Sequence, residues 1–373
     1  MQKPEVAVCP ETSDRVDIVH SPESPELNIE DLFNVLKEEL KQSFINGEDK
    51  IEPILETLPS LLEKEINIQE ITIPSKGKMI VVGDIHGQLR NLIEILHREG
   101  PPSAVHYYLF NGDIVDRGPS SVECAMLVFY LRYRFPDYVF INRGNHEDHR
   151  VNVEETFSRE IKQRGFQHLD DIFQQCFHNL SLGKIIKTEA ETYLALHGGI
   201  PLSEGNPLSI EDMNGLERNM SCTDKQAPLA QILWNDMSDE NGNQKSQRHG
   251  WGLKVGQEAL KRFLSNEDLG CLIRSHTEEP DGWRLGLGYI TGMLCPSLPL
   301  IDEKLTGLKS FLLSLREQSI LRCHGEDQWV SDLSLRTSET SLTSFRDYRR
   351  PMRRENPGLH DHTRHEIFVY FIE

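Results

Sequence analysis

Asp84, His86, Asp113, Asn145, His197 and His276 carry oxygen or imidazole groups in settings where a metal ion can be held. No thiolate is among them, and such a donor set suits divalent manganese, iron or zinc better than calcium. They stand in short polar runs: Gly83-Asp84-Ile85-His86-Gly87, Gly112-Asp113-Ile114-Val115-Asp116-Arg117-Gly118, Arg143-Gly144-Asn145-His146-Glu147, His197-Gly198-Gly199 and Ser275-His276. The glycines permit tight turns and close approach of a ligand. Singly, these runs say little: Asp-x-His is common on surfaces, His-Gly-Gly is a turn, and Asn-His-Glu can cap a helix. Their joint occurrence in one repeated setting points to chemistry.

That setting is the end of a strand. Residues 79–82, 107–110, 138–141, 193–196 and 271–274 form short apolar runs that predict strands, and each leads directly into one of the polar runs. Leu89, Leu92, Ile93 and Leu96 mark an amphipathic helix between the first two, and residues 122–133 a largely apolar one. Short strands alternating with helices argue an α/β domain. Ligands of open α/β sheets bind at the carboxyl ends of strands, so the polar runs are expected to share one site.

The chain has 373 residues and a formal net charge of −19, which argues against broad nucleic-acid binding. The 7 cysteines are odd in number and form no CxxC pair, so neither a disulfide framework nor a zinc knuckle is indicated. Buried, reduced thiols in the cytoplasm or nucleus are expected. No thiol stands beside an obvious base, which leaves cysteine nucleophilic catalysis unsupported. The start, Met1-Gln2-Lys3-Pro4-Glu5, has no apolar core of a signal peptide, and no long apolar stretch predicts a membrane span.

Four regions are expected. Residues 1–27 are polar, with Pro4, Pro10, Pro22 and Pro25, and are read as disordered. Residues 28–78 read as a helical extension: Leu32, Leu36, Leu40 and Phe44 share a helix face, Asn46-Gly47 breaks it, and a second helix fits 51–64. Residues 79–295 are expected to form one domain that carries all five polar runs. Residues 296–373 read as a divergent, largely disordered tail, with one helix over 303–319 and a basic cluster of Arg346, Arg349, Arg350, Arg353 and Arg354. The N-terminal helices or the basic tail are candidate docking segments for a regulatory protein. No repeat, EF-hand loop or P-loop is found.

The three longest polar runs match GDxHG, GDxVDRG and GNHE. They closely resemble the phosphoprotein phosphatase (PPP) family of serine/threonine phosphatases, within the calcineurin-like metallophosphoesterase superfamily. The resemblance spans about residues 79–288, and Arg143-Gly-Asn-His-Glu-Asp-His149 is most similar to the EF-hand-bearing branch, without its EF-hands. It implies a central β-sandwich flanked by helices and two divalent metal ions, manganese or an iron and zinc pair. Asp84, His86 and Asp113 would hold one ion, and Asp113, Asn145, His197 and His276 the other, with Asp113 bridging. Arg117 and Arg248, with Asn145, would bind phosphate. Hydroxide between the two ions would attack phosphorus, His146 would protonate the leaving alkoxide, and Asp116 would orient His146. Leu233-Trp234-Asn235-Asp236 is similar to the family's Leu-Trp-Ser-Asp segment.

One departure stands out. The family's Ser-Ala-x-Asn-Tyr motif is not found after Asp281-Gly282-Trp283, so the closing C-terminal strands are expected to be divergent or incomplete. The implied function is hydrolysis of phosphoserine and phosphothreonine in proteins. Two alternatives remain: a phosphoesterase for dinucleoside polyphosphates or other small esters, and a pseudophosphatase that only binds.

Overall fold

Each motif-bearing strand is apolar on both faces, so each needs an apolar layer on either side. The computed structural model, which describes residues 52–278, 284–291, 309–314, 336–338 and 366–371, supplies both layers.

The chain enters through α1 (Glu52–Leu62), β1 (Ile68–Thr72) and β2 (Lys78–Val82), followed by α2 (Leu89–Glu99), β3 (His106–Phe110), α3 (Ser121–Arg134) and β4 (Val139–Ile141). Helices α4 (His149–Glu154), α5 (Phe157–Gln163) and α6 (Asp170–Asn179) lead to the hairpin of β5 (Gly183–Lys187) and β6 (Thr192–Leu196). Beyond α7 (Pro228–Trp234) and α8 (Gln257–Asn266) come β7 (Cys271–Ile273), β8 (Arg284–Gly286) and β9 (Tyr289–Thr291). The last strands are β10 (Lys309–Ser314), β11 (Arg336–Ser338) and β12 (Glu366–Phe371).

Two six-stranded sheets result, ordered β1-β5-β6-β7-β9-β8 and β11-β10-β12-β2-β3-β4. They face each other across a layer of Ile71, Met79, Val81, Leu109, Phe140, Tyr193, Ala195 and Ile273. The alternate residues of the same strands point outward. Ile80, Val82, Tyr108, Phe110 and Ile141 pack with α1, α2, α3 and α6, and Leu194, Leu196 and Leu272 pack with α7 and α8. The expected sandwich flanked by helices is therefore present.

Three expectations change. The extension over 28–78 is not wholly helical: α1 appears as read, but β1 follows and pairs in parallel with β5, from Ile68 with Gly183 to Thr72 with Lys187. Residues 296–373 do not stand apart from the sandwich either. Strand β12 pairs in parallel with β2, from Glu366 with Lys78 to Tyr370 with Val82, and β10 runs antiparallel to β12. Strand β10 lies within 303–319, where a helix was expected. A short apolar run suits either element, and pairing with a distant strand decides it. The expected disorder of 1–27, the helix carrying Leu32, and the arginine cluster from Arg346 to Arg354 lie outside the described residues.

Among the described residues no helix is long and apolar enough to cross a membrane. Cys124, Cys176, Cys222 and Cys271 are free thiols, and burial pushes all four above the usual cysteine range. That makes them poor nucleophiles.

A buried ionic cluster fastens the entry segment to both layers. Glu65, just beyond α1, accepts from Arg132 of α3 at 2.7 Å and from the Ser181 hydroxyl at 2.6 Å, and lies 3.3 Å from the Lys184 ammonium on β5. Arg218 donates to the carbonyl of Leu62 at 2.9 Å. Burial alone would raise the Glu65 carboxyl, but Lys184 and Arg132 outweigh it and bring it from 4.5 to about 2. A depressed carboxyl stabilises the fold above its unfolded value and loses that contribution as pH falls through the folded one. Glu65→Ala should therefore cost about 3 kcal/mol near neutral pH, since it strands buried cations. Thermal unfolding between pH 5 and pH 2 (about the window of this shift) checks it: the mutant should lose less stability on acidification than wild type, and parallel curves would refute the role.

Candidate metal centre

Strands β2, β3 and β4 run parallel with their ends in line, Val82 beside Phe110 and Phe110 beside Ile141. In the opposite sheet β6 and β7 are also parallel, with Ala195 beside Ile273. All these strands release their polar runs at one edge of the sandwich. Two asparagines join the sheets there. Asn111 donates to the Leu196 carbonyl at 2.8 Å and to the Ser275 hydroxyl at 3.0 Å. Asn142 donates to Asn111 Oδ1 at 2.8 Å and to the Ala195 carbonyl at 3.1 Å.

The runs after β3 and β4 approach to backbone contact. A Cβ on Gly112, whose φ is +88°, would stand 2.5 Å from the Gly144 nitrogen, and one on Gly144 would strike Asp113. Glu147 ties them: Oε2 accepts from the backbone N–H of Asp113 at 2.7 Å and of Gly144 at 2.9 Å, and Oε1 from Ile114 at 2.8 Å. Backbone strain gathers at the same edge. His86, Asp113, Asp116, Arg117 and His276 all have φ between +44° and +72°, a region that side chains with a Cβ seldom occupy. Such strain persists where surrounding structure enforces it, and functional sites are where it collects.

Asp84, His86, Asp113, Asn145, His146, His197 and His276 meet here, each no more than 3% exposed. Ligand-type atoms of His86, Asp113 and His146 lie within 4.8 Å of one another, as do those of Asp113, His197 and His276. Asp113 belongs to both groups. Its Oδ2 is 3.6 Å from His86 Nε2 and 3.3 Å from His197 Nε2, and Asp84 Oδ2 is 3.8 Å from His86 Nε2. His86 Nδ1 contacts the Val115 carbonyl and His197 Nδ1 the Asn111 carbonyl, both at 2.9 Å. Each carbonyl can only accept, so Nδ1 carries the proton and Nε2 faces the centre. Asn145 Oδ1 lies 2.9 Å from His197 Nε2.

Among the described residues, Asp84 Oδ2, His86 Nε2 and His276 Nε2 are buried with no hydrogen-bond partner. Unsatisfied buried polar atoms are costly, and these all open on one space beside Asp113. An oxygen and imidazole donor set of this kind fits divalent cations. Protonation follows the same conflict. Burial and Asp113 raise the Asp84 carboxyl to about 6. Burial also opposes ionisation of Asp113, but His197, His146 and His86 outweigh it and hold that carboxyl well below its usual range. Burial opposes charge on His197, yet Asp113 and Asp84 lift it to about 9. Burial with His146 nearby lowers His86 to about 3, and burial with Arg248 nearby lowers His276 strongly.

The remaining sequence candidates lie beside this cluster or at its mouth. His146 Nδ1 is 2.8 Å from Asp116 Oδ2, and Asp116 Oδ1 accepts from the backbone N–H of Thr156 and Phe157 at 3.1 and 2.8 Å. Burial opposes charge on His146, but Asp113 and Asp116 outweigh it and raise its pKa. Arg117 lies at the mouth, with its side chain 31% exposed. Arg248 donates to the His276 carbonyl at 2.9 Å and forks onto Asp236 at 2.9 and 3.2 Å. Sequence reasoning missed the positioning groups Glu147, Asn111, Asn142 and Arg274. Buried Arg274 donates to the Asn235 carbonyl at 3.1 Å and to Thr291 at 2.9 Å. A signal existed for the asparagines: each directly follows the last apolar residue of its strand, Phe110 or Ile141.

Comparison with known proteins agrees with this geometry. The family model described as calcineurin-like phosphoesterase matches residues 77–280. Serine/threonine-protein phosphatase T of Aspergillus oryzae is 36% identical over 62% of this chain and 48% of its own length. Human serine/threonine-protein phosphatase 5 is 33% identical over 63% of this chain and 46% of its own. The chain thus spans about half the length of the curated relatives it matches. A solved serine/threonine phosphatase from Saccharomyces cerevisiae, described as similar to human PP5, superposes with a TM-score of 0.61 at 29% identity, covering 68% of this chain and 82% of that one.

A metal ligand must offer a lone pair, so a cation held by His197 and Asp84 would expel their protons. With His197 at about 9 and Asp84 at about 6, binding at neutral pH should release close to one proton, and apparent affinity should climb as pH rises toward 9. Manganese titration by calorimetry in two buffers of different ionisation enthalpy reads the release. No release at neutral pH would remove His197 from the ligand set.

Proposed function

We propose, for a chain that belongs to the calcineurin-like phosphoesterase family, that it hydrolyses phosphoserine and phosphothreonine in proteins. The observation that carries this is the convergence of unpartnered Asp84 Oδ2, His86 Nε2 and His276 Nε2 on the space beside Asp113, with the buried Asp116–His146 pair next to it and Arg117 at its mouth. The names of the relatives supply the substrate class: those compared above are serine/threonine protein phosphatases.

Asp84, His86 and Asp113 would hold one divalent ion, and Asp113, Asn145, His197 and His276 a second. Such a pair, when bound, lowers the pKa of a shared water and steadies phosphoryl oxygens. The chain's own groups do the rest. Arg117 and Arg248 offer N–H groups to the non-bridging oxygens, where planar guanidinium matches phosphate geometry. Asp236 and the His276 carbonyl occupy Nε and Nη2 of Arg248, which among the described residues leaves Nη1 for phosphate. Attack opposite the seryl or threonyl oxygen expels an alkoxide. His146 supplies its proton from Nε2, because Asp116 holds Nδ1 and stabilises the charged ring. Asn145 completes the phosphate contacts. No phosphoenzyme is required.

Turnover of a phosphothreonine peptide by manganese-loaded protein, beside p-nitrophenyl phosphate and a diadenosine polyphosphate, tests the reading. His146→Asn should keep its metal and lose roughly a hundredfold or more in kcat. Asp84→Asn should lose metal as well as activity, measured by elemental analysis. Arg117→Ala should raise KM more than it lowers kcat. Wild-type protein no faster than Asp84→Asn would sink the hypothesis, and preference for the polyphosphate would move the substrate class.

A further inference from the structure

Both rim arginines face carboxylates of this chain, but the two pairs differ in kind. Asp236 forks with Arg248, also accepts from the Thr277 hydroxyl at 2.8 Å, and lies 3.4 Å from Arg274. That carboxylate is a fixed part of the frame. Glu278 is not. Its Oε1 lies 3.7 Å from Arg117 Nη1, its side chain is 46% exposed, and among the described residues it shows no other partner. The chain just before it is held, however. Two residues earlier, the His276 N–H donates to Asp84 at 3.2 Å and the His276 carbonyl accepts from Arg248 at 2.9 Å. That anchored neighbour places the exposed Glu278 side chain at the mouth of the site.

We propose that Glu278 is a specificity-determining residue: it occupies Arg117 until substrate phosphate displaces it, and once displaced it selects peptides with a basic residue beside the phosphoresidue. This rests on the phosphatase reading above. The physical case is a competition. An exposed carboxylate at 3.7 Å makes a weak pair, whereas a phosphate dianion makes charge-assisted, forked bonds to a guanidinium. Phosphate therefore wins Arg117 and leaves an uncompensated carboxylate within a few ångströms of a dianion. A lysine or arginine on the peptide is attracted by both groups, and an aspartate or glutamate is repelled by both. Extended peptide advances about 3.3 Å per residue, so positions one or two from the phosphoresidue reach Glu278. Selection then comes from a repulsive element as much as from an attractive one.

The test compares wild type with Glu278→Gln, both manganese-loaded. Two phosphothreonine peptides differ only in arginine or glutamate at the neighbouring position. Wild type should favour the arginine peptide roughly threefold or more, in binding affinity and in kcat/KM. Glu278→Gln should bring that ratio toward unity and lower KM for p-nitrophenyl phosphate about two- to fivefold, with the smaller change in kcat. An unchanged ratio, or an unchanged KM for the small ester, overturns the proposal. So does the same gain appearing in an Arg117→Ala background. Inorganic phosphate binding, read by calorimetry, should tighten in Glu278→Gln whether or not the protein turns over peptides. Tightened phosphate binding without peptide turnover would count against the phosphatase reading alone.

Discussion

Glu147 accepts three backbone N–H groups, from Asp113 and Ile114 in the run after β3 and from Gly144 in the run after β4. The two runs touch through their backbones at Gly112 and Gly144, and a single carboxylate beside that contact ties both. With the loops locked, Asp113 can face both groups of histidines, and its Oδ1 accepts from the His146 N–H at 3.0 Å. The distances between Asp113, His86 and His197 follow from this clamp rather than from the side chains' own preferences. Burial and Asp113 raise Glu147 itself to about 7, so the clamp and the central carboxylate are electrostatically linked.

Around the clamp the fold accepts several costs at one edge. It buries unpartnered donors and acceptors, sets like charges side by side, and holds five residues with side chains at positive φ. Elsewhere the same strands are filled on both faces with apolar side chains that are almost wholly buried. Stability is therefore concentrated in the three apolar layers and withheld at the strand ends. That division is expected of a site whose charges are preorganised for chemistry.

Segments far apart in the chain complete the frame. Strand β1 joins the first sheet from before the motifs, and β12 joins the second from beyond them, lying beside the strand that presents Asp84. Buried ionic contacts of Glu65 reach α3 and β5 at once. The domain is thus bounded by its pairing and not by the stretch of chain in which its motifs are recognisable.

Much of the site was legible in sequence. Polar runs at the ends of apolar runs, glycines at the turns, and the signature order depend on local periodicity and turn chemistry, which neighbouring residues determine. The resemblance then named a candidate ligand set and the sandwich, and the structure brings those residues together. Other features depended on through-space pairing. Strand β10 was indistinguishable from a helix until β12 stood beside it, and β1 was hidden in a segment read as helical. The roles of Glu147, Asn111 and Asn142 could not be assigned before the loops were seen to touch. The contact of Glu278 with Arg117 joins residues that no local pattern connects. Sequence by itself determined which residues could do the chemistry, because residue type and strand-end position are local properties. Tertiary structure alone decided which nitrogen faces the centre, which strands close the sheets and which carboxylate lies beside Arg117, because each is a distance between groups the chain must fold to bring together.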